Sequence, residues 1–156
     1  MGKHHIDAID RRILDALQVN GRMTIQDLAE KVGLTTSPCL RRVRALEDQG
    51  VIRGYVAIID QVAVSLPISV FASVKLERQR EEELDRFAAA VARWPEVLEC
   101  YLMTGHRDYL LRIVVPDLGA YELFLKQKLT RLEGVSSIES SFALGQVKYS
   151  HRLPLA

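Results

Sequence analysis

Residues 24–55 read TIQDLAEKVGLTTSPCLRRVRALEDQGVIRGY. Two amphipathic patterns lie on either side of Gly33, and an extended segment punctuated by glycine follows. Thr24 is placed to cap the first pattern, and Asp27 three residues on approximates a capping box with Asp in place of Glu. Ile25, Leu28, Ala29 and Val32 recur at helical spacing and predict the buried face of that helix. Thr35 is the expected cap of the next helix, which tolerates Pro38 in its first turn. Cys39, Val43 and Leu46 fall at i, i+4 and i+7, so they face a core and turn Arg41, Arg42 and Arg44 largely elsewhere. Gly50 stops this helix, and VIRGYVAIID (51–60) predicts a short hairpin wing or strand. Upstream, Ile6, Ile9, Ile13, Leu14 and Leu17 predict a helix over 7–19, ended by Asn20 and Gly21.

Three helices and a wing make a winged helix–turn–helix. The third helix opens on Thr36, Ser37 and Pro38, short enough to let its end approach bases and phosphates, with helix-end N–H groups available for a phosphate oxygen. Arg41, Arg42 and Arg44 follow, an arrangement suited to a helix whose N-terminal end enters the DNA major groove. The plainer reading is that small helical domains need glycine turns and that arginines solvate a surface.

The charge balance gives DNA binding little help. The net charge is +1, and residues 1–60 hold nine Lys/Arg against eight Asp/Glu. The bias is local: residues 35–54 carry four arginines against Glu47 and Asp48. One such module neutralises few phosphates, so useful affinity requires two or more copies acting together. No apolar run reaches the roughly 18 residues of a membrane span. The opening MGKHHIDAIDRR turns charged at once, unlike a signal peptide, and Ile6 stands where a myristoylation signal at Gly2 needs Ser or Thr. Cys39 and Cys100 are isolated in apolar-patterned segments, which fits buried thiols in a reducing cytoplasm.

After a patternless stretch, DQVAVSLP (60–67), the second half shows a doubled pattern. Ile68, Val70, Phe71, Val74 and Leu76 predict a strand. A helix from Glu81 follows, with Leu84, Phe87, Ala88, Val91 and Trp94 inside, and Pro95 ends it. VLECYLMTG and DYLLRIVVPD predict two strands joined at Gly105–His106–Arg107. A helix over about 119–132 carries Tyr121, Phe124, Leu125, Leu129 and Leu132, and a long last strand runs from Val135 through Ile138, Phe142, Leu144 and Val147. The order βαββαβ is that of a ferredoxin-like sheet. Apolar residues on both faces of its strands call for a second subunit against the face that the helices leave bare. The fold class is therefore α+β, divided as a winged helix–turn–helix (1–59), a hinge (60–67) and a ferredoxin-like effector-binding and oligomerisation domain (68–156).

The ordered blocks IDAIDRRILDALQVNGR (6–22), DLAEKVGLTTSPCLRRVRALEDQGVIRGY (27–55), PEVLECYLMTGHRDYLLRIVVPD (95–117), LEGV (132–135) and SSFALGQVKY (140–149) resemble the Lrp/AsnC, or feast/famine, family of prokaryotic transcription regulators. ECYLMTG and SSFALGQVKY look most like its leucine-responsive and branched-chain-catabolism branch. The resemblance implies a DNA-binding domain followed by an amino-acid-metabolism-regulation (RAM, ACT-like) domain that dimerises through its sheets. Dimers would assemble further, into octamers, on double-stranded DNA in a prokaryotic cytoplasm, associated with the nucleoid. The family's recognition positions fall on Thr36, Ser37, Pro38, Arg41, Arg42 and Arg44. Ser37 and Arg41 are assigned to bases or the groove, and Arg42 and Arg44 to phosphates or an internal salt bridge.

The resemblance also implies an amino-acid effector between dimers, leucine or another apolar amino acid, at Met103, Thr104, Gly105, His106, Asp108 and Tyr109. Gly105 lets backbone approach a ligand, and neighbouring N–H groups would take its carboxylate. Asp108 would favour the ammonium, and Met103 and Tyr109 would line a side-chain pocket. His106 and Arg107 depart from the acidic or short polar residues common in relatives, and two cationic groups at the mouth count against leucine itself. Imidazole titration could also make binding pH-sensitive. On residues alone, the same stretch reads as a hairpin turn with Asp108 bonding its own backbone.

Enzyme and metal readings fail. His106–Arg107–Asp108 imitates a kinase triplet, but Ile113 stands where that motif needs Asn. His4, His5, His106 and His151 lack zinc-site pairing, and no Ser or Cys nucleophile context appears, so no cofactor or metal is expected. The alternatives are an amino-acid sensor acting on a protein partner and an effector-independent architectural DNA binder. An RNA-binding sheet needs exposed stacking aromatics, whereas these strands are mostly aliphatic.

Overall fold

The computed structural model describes residues 5–155, so Gly2 and His4 lie outside the described residues. The chain forms two compact units, residues 59–147 and the remainder.

The first unit contains α1 (Ala8–Val19), α2 (Ile25–Val32) and α3 (Thr36–Asp48). Ile13, Leu28, Cys39 and Leu46 are fully buried at its centre, with Ala16, Ala29, Val32 and Val43 around them. The reciprocal capping box, however, is at α1 and not at α2. The Asp7 carboxylate accepts from the Asp10 N–H at 2.8 Å, and the Asp10 carboxylate accepts from the Asp7 N–H at 3.2 Å. At α2 the Thr24 hydroxyl accepts from the Asp27 N–H and donates to the Asp27 carboxylate, so Asp27 never reaches back to the cap's own backbone. Gly33 ends α2 at φ +71°, a conformation costly for any side chain.

No wing strand forms over residues 51–60. The segment has no regular secondary structure and is pinned by Tyr55, whose hydroxyl donates to Glu47 at 2.9 Å and whose ring lies against Gly21. Val56, Ile58 and Ile59 are exposed. The tail also belongs to this unit. Arg152 forks onto Asp15 at 2.7 and 2.8 Å, and Gln18 and Leu153 exchange two hydrogen bonds.

The second unit is a four-stranded antiparallel sheet carrying two helices. Its elements are β1 (Ile68–Leu76), α4 (Glu81–Val91), β2 (Val97–Leu102), β3 (Tyr109–Val115), α5 (Leu118–Gln127), a 3-10 turn (Leu129–Arg131) and β4 (Val135–Phe142). The sheet order is β2-β3-β1-β4, as βαββαβ connectivity requires. Val70, Ala72, Val74, Leu111 and Ile113 are fully buried on the face that takes Phe87, Tyr121 and Phe124 from the helices. The opposite, outer face carries Phe71, Ser73, Tyr101, Leu110 and Arg112, with Phe71 and Tyr101 exposed.

Two expectations in this half are corrected. The second helix breaks at Lys128 into the 3-10 turn, which still buries Leu129. The last strand ends at Phe142: past its pairing with Val70, the Ala143 N–H donates to the Ser69 carbonyl at 3.0 Å, and Leu144 and Val147 stand fully exposed. Residues 60–66 are more ordered than a patternless stretch suggests. Asp60 accepts from the Val62 and Ala63 N–H groups, and Gln61 bonds to Leu66, Ser69 and Arg112.

Candidate functional site

An α-helix rotates about 100° per residue, so Ser37, Arg41 and Arg44 share one stripe of α3, opposite buried Cys39, Val43 and Leu46. Thr36, Ser37, Arg41 and Arg44 are exposed, and Pro38 is partly buried. Arg41 and Arg44 have no hydrogen-bonding or ion-pairing partner among the described residues. The Thr35 hydroxyl does not cap α3, so the N–H groups of Thr36 and Ser37 remain free for an acceptor outside the chain, and Pro38 has none to satisfy.

Arg42 behaves differently. It lies at the edge of the core-facing side, and its Nη1 sits 2.8 Å from both Asp7 and Asp10. The Asp10 side chain is only 3% exposed. The Asp10 N–H, and after it the Arg42 guanidinium, hold the Asp7 carboxyl below its usual value. The two carboxylates in turn hold Arg42 firmly protonated. In this arrangement Arg42 ties the start of α1 to α3, the internal salt bridge that was one of its two expected roles.

The β2–β3 turn is the second cluster. Met103, Thr104, Gly105 and His106 are exposed at its tip, with Gly105 at φ +108° and open space where a side chain would be. Among the described residues, no acceptor takes the N–H of Thr104, Gly105, His106 or Arg107. Asp108 and Tyr109 point inward and are 4% and 5% exposed. The Asp108 carboxylate accepts from the Leu76 N–H at 2.7 Å and from Gln79 Nε2 at 2.5 Å, so both oxygens already hold donors from the chain. Tyr109 stacks on Phe87 with ring centroids 4.3 Å apart, and its hydroxyl donates to the Leu84 carbonyl. The structure therefore separates the exposed tip from Asp108 and Tyr109, which anchor its root.

Arg107 leaves the tip. Its guanidinium donates to Ser137 Oγ and Glu139 Oε2, each at 2.7 Å. Its charge is therefore paired, and His106 is the one titratable group left at the tip. Beside the root, an open cleft of about 850 Å3 runs between α4 and β2, lined by Leu84, Ala88, Ala92, Leu98 and Leu102, with Gln79 and Tyr109 at the turn end. Sequence reading missed Gln79, Ser137 and Glu139. They are 29, 30 and 32 residues from their partners, in positions that no local pattern marks. Cys39 is buried as expected, and burial pushes its thiol up, away from nucleophilic use, whereas Cys100, expected to be buried, is exposed. Among the described residues, no group of three His, Cys, Asp or Glu could hold a metal ion, and no helix is long and apolar enough to cross a membrane.

Comparison with known proteins identifies both domains. Residues 6–53 match a winged helix–turn–helix DNA-binding model, and residues 69–153 match the Lrp/AsnC ligand binding domain. The Bkd operon transcriptional regulator of Pseudomonas aeruginosa is 47% identical over 96% of this chain and 98% of its own. The leucine-responsive regulatory protein of Salmonella typhimurium is 41% identical over 95% and 90%. A Neisseria meningitidis transcriptional regulator, solved in complex with L-methionine, is 41% identical and superposes with a TM-score of 0.91 over 97% of each chain. The chain thus belongs to the Lrp/AsnC family and is a DNA-binding transcriptional regulator, not an enzyme.

Proposed function

We propose that this regulator of amino-acid metabolism binds an apolar amino acid at residues 103–106 and that the ligand changes its assembly or its hold on DNA. The observation that carries the reading is the run of four N–H groups, Thr104 to Arg107, with no acceptor among the described residues. Such a run around a glycine with positive φ is a place for a carboxylate. The relative solved with L-methionine supports the ligand class, and the cleft walls of Leu98 and Leu102 suit an apolar side chain. With Arg107 paired, leucine and methionine regain standing as effectors. The ammonium would be met by a group other than Asp108.

On the DNA side, Ser37 and Arg41 would contact bases or the groove, Arg44 and the N–H groups of Thr36 and Ser37 would contact phosphates, and Arg42 would only brace the helix. Assembly would begin with a dimer covering Phe71, Tyr101 and Leu110 on the outer sheet face and continue toward an octamer. The setting would be a prokaryotic cytoplasm, on the nucleoid.

Thermal unfolding against each of the twenty amino acids tests the effector. A ligand at about 100 times its dissociation constant stabilises the protein by ~2.7 kcal/mol. A shift with apolar amino acids, together with altered mobility of a DNA complex, is the expected result. No shift with any of them would leave an effector-independent architectural DNA binder as the better reading.

A further inference from the structure

We propose that Arg107 is a positioning residue for the effector turn, setting the tip's shape through Glu139 and Ser137 on the outer face of the sheet. The proposal rests on the reading that residues 103–106 receive the ligand.

Arg107 and Asp108 precede β3 and lie outside its alternation, since Asp108 turns inward like its neighbour Tyr109, and the two side chains fasten the turn at two separate places. On the helix side, Asp108 accepts from the Leu76 N–H and from Gln79, and its own N–H donates to the Val74 carbonyl at 2.9 Å. On the outer side, Arg107 reaches over β1 to two successive outward residues of β4, Ser137 through Nη1 and Glu139 through Nη2. The Met103 N–H donates to the Asp108 carbonyl at 2.8 Å and closes the loop. Between these fastenings stand the four free N–H groups. Their spacing and direction decide whether a carboxylate fits, and the only side chain inside the run that is tied to the rest of the sheet is Arg107.

The tie has two consequences. It removes a cation from the mouth, leaving a tip that accepts a neutral apolar side chain. It also makes the tip sensitive to the outer face, since Glu139 lies on the same face as exposed Phe71 and Tyr101. A partner that shifts Glu139 shifts Arg107 and the N–H run with it.

The test uses the full chain in three forms besides the parent: Arg107→Ala, Glu139→Gln, and the exchange Arg107→Glu with Glu139→Arg. The first readout needs no ligand. Methionine-methyl NMR gives three signals, from Met1, Met23 and Met103. In Glu139→Gln the Met103 signal moves and Met23 stays, and the exchange returns Met103 toward its parental position. The second readout is the L-methionine or L-leucine concentration for half-maximal melting shift. It rises about 3–10-fold in both single variants and recovers in the exchange, while ligand-free melting temperatures stay within about 2 °C because an exposed ion pair contributes little to stability. A Met103 signal that ignores Glu139→Gln, or unchanged ligand concentrations in both single variants, overturns the proposal. If the parent responds to no amino acid, the functional reading fails, and the Met103 signal still decides whether the tie shapes the tip.

Discussion

Arg42→Ala separates a structural arginine from a DNA-binding one. The substitution removes a guanidinium that lies 2.8 Å from both Asp7 and Asp10. Severing an exposed pair costs ~0–1 kcal/mol, and breaking a buried one costs ~3–5 kcal/mol. This site lies between those limits. The Asp10 side chain is 3% exposed, while Arg42 and Asp7 are 32% and 43% exposed. A loss of ~2 kcal/mol follows, or about 4–8 °C in melting temperature for a chain of this size. Urea unfolding followed by far-UV circular dichroism measures it.

The pH dependence gives a second check. The folded-state pKa of Asp7 is depressed below 3.8, first by the Asp10 N–H and then by Arg42. A depressed carboxyl contributes stability above its unfolded value and loses it as pH falls through its folded value. The gap between parent and Arg42→Ala should therefore be full at neutral pH and narrow as pH drops below the ordinary carboxylate range. Well below its melting temperature, the variant should hold a DNA site selected from random pools within about tenfold of the parent, a difference under ~1.4 kcal/mol. A stability loss below ~0.5 kcal/mol, within the range of an ordinary surface pair, would refute this reasoning. So would a loss that is the same in acid and at neutral pH.

Other outcomes follow from the same contacts. Arg41→Ala should leave melting unchanged but cost ~1–3 kcal/mol of discrimination at one base if it reads guanine; if it meets only phosphate, selected and random DNA should weaken alike and the salt slope should fall by about one. Asp108→Ala should destabilise the protein by ~2–4 kcal/mol, because it strands the Leu76 N–H and strips Gln79 of its acceptor; calorimetry without ligand checks this, and a neutral result would mean that Asp108 is not the anchor of the turn. Arg152→Ala should cost no more than ~1 kcal/mol, since both partners of its Asp15 pair are about half exposed, and the loss should vanish in an Asp15→Asn background.

Element types were legible because they rest on period and punctuation. The Cys39, Val43 and Leu46 spacing fixed which side of α3 is buried, and the doubled strand–helix pattern fixed the sheet order through connectivity. The site was legible only in part. Periodicity located the exposed stripe of Ser37, Arg41 and Arg44, and Gly105 marked the tip. What an individual charge binds depends on residues distant in sequence: Arg42 meets Asp7 and Asp10 35 and 32 residues away, and Asp108 meets Gln79 29 residues away. Asp108 was read as a ligand contact because an acid beside a glycine turn looks available. Burial at 4%, with two donors already bound, gives it another task.

The expected wing strand and the expected extension of β4, neither of which forms, follow one physical rule. Residues 51–60 and 143–147 have strand-like composition, but composition supplies only propensity, and a strand exists when another backbone accepts its ladder. Among the described residues, no backbone group pairs with residues 54–59, and the ladder between β1 and β4 ends with the bond from the Ala143 N–H to the Ser69 carbonyl. Val56 is 89% exposed, and Leu144 and Val147 are fully so. Apolar segments without ladder partners attract further strands. The outer sheet face carries the same signature in Phe71 and Tyr101. Three separate surfaces thus lack backbone or apolar partners among the described residues, and a second copy of the chain would offer the same three. A dimer that paired these segments would explain why the sequence patterns at 51–60 and 143–147 look like strands. It also places Glu139, and through it the effector turn, on a face that assembly would cover.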